Sequence, residues 1–239
     1  MPSLLDRQLS LLEYLTSRDA IFGGKADVPL GPVLQGMDQG LLRLEACFSH
    51  EKRMEKVTAV FPRTFELLAS DQDAVVRDFV AVCPPVDITR LENARQFHDF
   101  LRARWRREGA KPPHLPDVAA CEFAFALARV AADEGEAAGG NPGDIRRHPG
   151  AILLRCAYNV RPIFESGSID MALLKRDTLI AVATPPGAEH PRIFELAPAV
   201  FDVLGALTDW TDRSTLGAAK ELDAFVAELS EHGLLEVHR

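Results

Sequence analysis

Cysteine is scarce and scattered in this chain. There are four in 239 residues, Cys47, Cys83, Cys121 and Cys156, with no CxxC pair, and flanks such as Ala46-Cys47-Phe48 and Ala119-Ala120-Cys121 mark them as small buried hydrophobes. The seven histidines form no HxH, HxxxH or HExxH arrangement, and His148 and His190 each precede proline, which suits a loop better than a metal ligand. No P-loop, GxGxxG or GxSxG occurs, so the commonest nucleotide and hydrolase signatures are excluded. The nearest approach to paired carboxylates, Asp133, Glu134 and Glu136, lies in a glycine-rich stretch that cannot hold them within the tolerance of about 0.5 Å that a preorganised site needs. The chain is therefore expected to have no catalytic centre, metal or cofactor of its own. No run of 18 apolar residues exists, which excludes a membrane-spanning helix. The opening stretch, Met1 to Gln8, lacks the basic flank and apolar core of a signal peptide, so a cytoplasmic location is expected.

What the chain does hold is helical periodicity. At 26.2 kDa, 47% apolar and 26% charged, it is large enough for a substantial core or two modest domains. Leu4, Leu5, Leu11, Leu12, Tyr14 and Leu15 predict a first amphipathic helix. A second is expected over residues 34–54, with Leu41, Leu42, Leu44, Ala46 and Cys47 inward and His50 to Arg53 on a solvated face. Pro62 costs about 3 kcal/mol inside a continuous helix but suits the first turn of a new one, so two helices should meet there at a corner. Further helices are predicted over residues 74–82, over residues 92–107 with Phe97, Phe100 and Leu101 inward, and onward from Leu115. Arg102, Arg104, Arg106 and Arg107 crowd the end of the middle one, where they complement the helix dipole or grip an acidic partner. The polar, glycine-rich residues 133–143 read as a linker, which places the domains at residues 1–145 and 150–239. Residues 152–160, Leu173-Leu174, residues 178–183 and residues 192–196 then read as strands of a small antiparallel sheet, whose outermost strand leaves backbone groups unpaired.

From Arg192 onward the apolar period changes from two to about 3.6. Ile193 and Phe194 face opposite ways. Val200, Phe201, Leu204 and Leu207 then form one helical stripe, and Leu222, Phe225, Val226 and Leu229 form another that ends at Gly233. Between them, Asp212 to Thr215 offer an N-cap for a short helix through Leu216 to Lys220. The predicted class is α+β: an N-terminal helical domain followed by a C-terminal winged helix-turn-helix domain, with a small antiparallel sheet and three helices. Such a module takes duplex DNA on its last helix or a peptide added as a strand beside that helix. Residues 190–239 hold nine acidic against four basic side chains, a formal charge of −5, with Glu221, Asp223 and Glu228 where a duplex reader needs Lys and Arg. Because phosphate neutralisation dominates DNA binding, peptide is the preferred ligand and a DNA-binding transcriptional regulator the rival.

Two resemblances sharpen this reading. Phe194-Glu195-Leu196-Ala197-Pro198-Ala199, Val203-Leu204-x-x-Leu207 and the run from Leu222 to Leu235 resemble the recognition element of ribosomally made, modified peptides, a winged domain known from the pyrroloquinoline-quinone peptide chaperone. Upstream, Lys56-Val57-x-x-Val60-Phe61-Pro62-x-Thr64-Phe65, Cys83-Pro84-Pro85, Phe97-His98-Asp99-Phe100-Leu101, Leu115-Pro116-Asp117-Val118-Ala119-x-x-Glu122 and His148-Pro149-Gly150-Ala151 occur in order. They are similar to a helical family first described as DNA-binding, whose members accompany multinuclear non-heme iron oxidative enzymes in peptide-modifying operons, the thiaglutamate-forming system among them. Phe123 stands where that family commonly has Trp.

The resemblance implies a non-catalytic partner protein in a heterodimer, with iron held by the enzyme and a peptide cysteine as the residue modified. The leader of the precursor peptide is expected to bind by strand addition to Arg192, Ile193, Phe194, Glu195 and Leu196, with selectivity from Asp223, Ala227 and Ser230 on the last helix. Neither nucleic acid nor membrane is expected as a partner.

Overall fold

The computed structural model describes residues 3–23, 30–131, 139–166, 175–216 and 220–238. They fall into two compact units, Met1–Gly109 and Ala110–Arg239. Among the described residues of the first, every regular element is a helix. Ser3 and Asp6 make a capping box for α1 (Leu4–Leu15), and the Ser17 hydroxyl caps α2 (Arg18–Phe22). α3 (Gln39–Thr58) begins later than the apolar pattern implies, because Gly36 at φ +91° turns the chain before Asp38 caps the helix. Pro62 opens α4 (Pro62–Leu68), which gives the corner expected there. α5 (Gln72–Val82) follows, and the Thr89 side chain caps α6 (Arg90–Glu108). Phe97 of α6 is central to the core: the rings of Phe61, Phe65 and Phe79 lie 5.5, 5.3 and 5.1 Å from its own, distances at which aromatic pairs attract.

Two expectations for α3 are overturned. Leu41 and Leu44 point to solvent, 65% and 48% exposed, because the buried stripe runs through Leu42, Ala46, Arg53 and Val57. Arg53, expected on a solvated face, lies within that stripe. Its guanidinium donates to Asn93 Oδ1 at 2.9 Å, to the Cys83 carbonyl at 2.8 Å and to Gln96 Oε1 at 2.8 Å, and it sits 4.4 Å above the Phe79 ring. Three hydrogen bonds and a cation–π contact offset the desolvation of the charge and tie α3 to α5, α6 and the segment between them. In the arginine-rich end of α6, Arg104 pairs with Asp78 and Glu108, so part of that charge is absorbed locally.

The second unit layers helices on both faces of a sheet. Its elements are α7 (Leu115–Ala131), β1 (Ile145–Arg147), β2 (Ile152–Tyr158), α8 (Arg161–Ser166), β3 (Lys175–Ala183), β4 (Arg192–Glu195), α9 (Pro198–Ala206), a 3-10 turn at Arg213–Leu216, α10 (Lys220–Glu231) and β5 (Leu235–Val237). β2, β3 and β4 form one antiparallel sheet in that order, and β1 pairs with β5 in a separate two-stranded one. On one face Ala124 and Ala128 of α7 pack with Val182, Ile152 and Ile193. On the other, Ala181 and Phe194 join Leu204, Val226 and Leu229 of α9 and α10.

This packing places the division of the chain at residues 109 and 110, not between residues 145 and 150. α7 belongs with the sheet because its small alanines let it approach closely. The described end of the glycine-rich stretch is packed, not a free linker: a Cβ on Gly140, at φ +98°, would stand 2.8 Å from Trp210 Cγ, and the Gly143 N–H donates to the His238 carbonyl. The buried Cys121 and Cys156 face each other from α7 and β2. The hydrogen bond between their side chains, then burial, pushes the Cys121 thiol well up. Leu173-Leu174 and residues 132–138 lie outside the described residues. So do residues 217–219, and the expected middle helix is described only as its 3-10 turn. No helix among the described residues is long and apolar enough to cross a membrane.

Acidification tests the packing of the helical unit through His98. This α6 residue is 8% exposed, and burial, then the Arg102 charge, lowers its pKa from 6.5 to about 4. Between those values the unfolded chain binds a proton that the folded chain does not, so stability is complete above the upper value and falls as pH drops through the window. Urea unfolding of the parent is expected to lose about 2 kcal/mol more between pH 7 and pH 5 than that of a His98→Asn variant. Equal losses in both would contradict the assignment.

Candidate functional site

An antiparallel ladder uses alternate residues of an edge strand, so the register decides which backbone groups are left over. In β4, Arg192 lies opposite Ala183 and Phe194 opposite Ala181, and the Leu196 N–H donates to the Leu179 carbonyl at 2.8 Å. Leu196 and Leu179 are thus a hydrogen-bonded pair, and by alternation so are Phe194 with Ala181 and Arg192 with Ala183. Ile193 and Glu195 direct their N–H and C=O groups the other way. No strand among the described residues lies along that edge.

Beside it runs a groove of about 380 Å³ between β4 and α10. α10 lines it with Phe225, Glu228 and Leu229, His232 just past its end continues that stripe at i, i+3, i+4 and i+7, and β4 adds Phe194 and the following Leu196. Leu229 is buried and belongs to the core as well as to the groove wall, whereas Phe225 is half-buried. The His232 ring lies 4.9 Å from that of Phe194. Glu195 is held by Arg176 at 2.7 Å and by Arg161 at 3.5 Å, and Arg161 also reaches Glu165 at 2.6 Å. These pairs fix orientations at the groove; being solvent-exposed, they add little stability.

The structure brings together Ile193, Phe194, Glu195 and Leu196, while Arg192 stands exposed at the start of β4. It does not bring Asp223, Ala227 and Ser230 to the groove. Asp223 pairs with Arg213, Ala227 is exposed, and Ser230 lines another cavity. The groove stripe is a neighbouring face of α10, and Phe225 and Leu229, which the apolar period marked as core, form part of it. Glu228 and His232 carried no signal, since a polar residue on a helix reads as solvated until the facing strand is placed.

The cavity that Ser230 lines is larger, about 620 Å³, but its one carboxylate, Glu236, is already engaged. Arg146 binds Glu236 at 2.7 Å across the β1–β5 pair and lies 4.5 Å over the Trp210 ring, and His148 stands 3.5 Å from Glu236. These contacts hold two short strands together. Among the described residues no group of three His, Cys, Asp or Glu is placed to hold a metal ion. Comparison with known proteins adds no identity: no family model matches the chain, and no curated protein is significantly similar to it.

The exposure of the Glu195 pairs gives a direct check. Glu195→Gln is expected to lower the free energy of urea unfolding by less than about 1 kcal/mol, and a loss above about 2 kcal/mol would mean that the pairs support the fold.

Proposed function

We propose that this chain is a non-catalytic, cytoplasmic partner protein that captures the leader of a ribosomally made precursor peptide and presents it to a multinuclear non-heme iron oxidative enzyme, in thiaglutamate-type biosynthesis. The helical unit docks the enzyme in a heterodimer. The C-terminal unit is a winged-helix recognition element, a reading supported by the succession β2, β3, β4, α9, the 3-10 turn and α10. The observation that carries the proposal is the unpaired edge at Ile193 and Glu195 alongside the groove against α10. A leader laid there as a fourth strand pairs with those two residues, and its alternate side chains enter the groove beside Phe225 and Leu229. Main-chain bonds contribute affinity and the groove contributes selectivity. Holding the leader raises the effective concentration of the far end of the peptide at the enzyme's iron, which is how a subunit without chemistry of its own is needed for turnover. Oxidation of the peptide cysteine belongs to the enzyme. Against a DNA-binding role stands the acidity of α10, where Asp223 and Glu231 are exposed outside the groove and Glu228 is exposed at its wall.

Ile193→Pro removes an outward N–H while leaving the ladder to β3 intact, a substitution that edge strands tolerate. Titration of a fluorescently labelled precursor leader into the full chain should show affinity up to about tenfold weaker in this variant, the loss of one hydrogen bond. Ser230→Ala, outside the groove, should leave affinity unchanged. Equal affinity of the folded Ile193→Pro variant, or salt-sensitive binding of duplex DNA in place of the leader, would reject strand addition.

A further inference from the structure

The helical unit carries a pocket whose charge is one-sided. About 270 Å³ in volume, it is lined by apolar side chains from α1, α2, α5 and the segment after α5, while α3 contributes Lys52, Arg53 and Lys56. Among the described residues none of these three cations has an ion-pair partner. The hydrogen bonds of Arg53 all go to neutral oxygens, and Lys56 donates to the Ile88 carbonyl. Asp87, the one acid on the wall, turns its carboxylate to the Ile88 and Thr89 N–H groups and the Thr89 hydroxyl. Glu51 and Glu55 are exposed on α3 and do not line the pocket. A guanidinium without an ion-pair partner, 9% exposed, together with two ammonium groups outweighs the single Asp87 carboxylate and gives the apolar cleft a net positive field. His50 lies on the same wall, where burial, then the Arg53 charge, lowers its pKa against a smaller opposing pull from Glu51.

The apolar surface continues past the rim. Leu12 is 53% exposed, and Leu9 and Leu5, three and seven residues before it on α1, are 50% and 62% exposed. Ile88 on the opposite wall is 82% exposed and Val86 beside it 72%. A helix stripe of bare leucines leading to a cationic pocket is more than a small acid can cover, and apolar surface of that kind marks a protein contact.

We propose that this pocket and its leucine rim dock an acidic, apolar segment of a partner protein, its carboxylates meeting Lys52, Lys56 and Arg53 while an apolar side chain fills the cleft. The inference rests on the reading that the helical unit docks a protein partner, and is independent of leader capture at β4. The test uses ¹⁵N-labelled full-length chain titrated with the acetylated pentapeptide Leu-Glu-Leu-Glu-Leu, its Gln counterpart and octanoate. The acidic peptide should shift the amides of His50, Lys56, Ile88 and Asn93, leave Ile193 and Glu195 unmoved, and bind at least about tenfold more tightly than the Gln peptide. In the Lys52→Gln/Lys56→Gln double variant, which spares the structural Arg53, affinity should fall by a similar factor with urea unfolding unchanged. Equal binding of the Glu and Gln peptides, or of parent and double variant, would overturn the proposal. Octanoate binding as tightly as the acidic peptide would overturn the protein source in favour of a small apolar acid. Failure here leaves leader binding at β4 intact, and failure there leaves this pocket intact.

Discussion

The structure of the C-terminal unit turns on a rule of backbone chemistry: an edge strand in an antiparallel sheet can satisfy only half of its polar groups from its neighbour. β4 meets β3 through Arg192, Phe194 and Leu196, which leaves the N–H and C=O groups of Ile193 and Glu195 directed away from the sheet. Sheets commonly blunt such an edge with a bulge, a proline or an overlying helix. Here β4 is short but unbroken, and α10 stands back far enough to leave a groove instead of covering it. The ion pairs of Glu195 with Arg176 and Arg161 orient its side chain without engaging its main chain.

The helical unit obeys a different constraint, the cost of placing a guanidinium in a core. Arg53 bonds two side chains of α6 and the carbonyl at the end of α5 while stacking on Phe79, so it orders the junction beside the Phe97 cluster. All its partners are neutral. The charge that organises the fold is therefore also the charge that leaves a positive field in the neighbouring pocket, and structure and recognition draw on the same residue.

Much of this was legible in the sequence, and what was not has identifiable causes. Period-two alternation gave β4 and the opposed faces of Ile193 and Phe194, while Pro62 marked the corner between α3 and α4. Hydrophobicity did not choose between Leu41 and Leu42, neighbours that sit about 100° apart on a helix, and it assigned Arg53 to water because the pattern has no term for a guanidinium with waiting acceptors. β1 and β5, three residues each, are too short to show a period and exist only through each other. Gly140 looked like linker because a glycine needed for close approach to Trp210 is indistinguishable from one needed for flexibility. On α10 the groove and the core share one apolar signal, so Phe225 and Leu229 were visible but Asp223, Ala227 and Ser230 were chosen as the contact face.

The role of the β4 edge is measured most directly by hydrogen exchange of its amides in the free chain and with precursor leader added. Unliganded, the Phe194 and Leu196 amides should exchange slowly and those of Ile193 and Glu195 fast; with leader bound, the latter two should become protected while the first two barely change. Leader binding that leaves the Ile193 and Glu195 amides exchanging as before would place the peptide elsewhere and contradict the account.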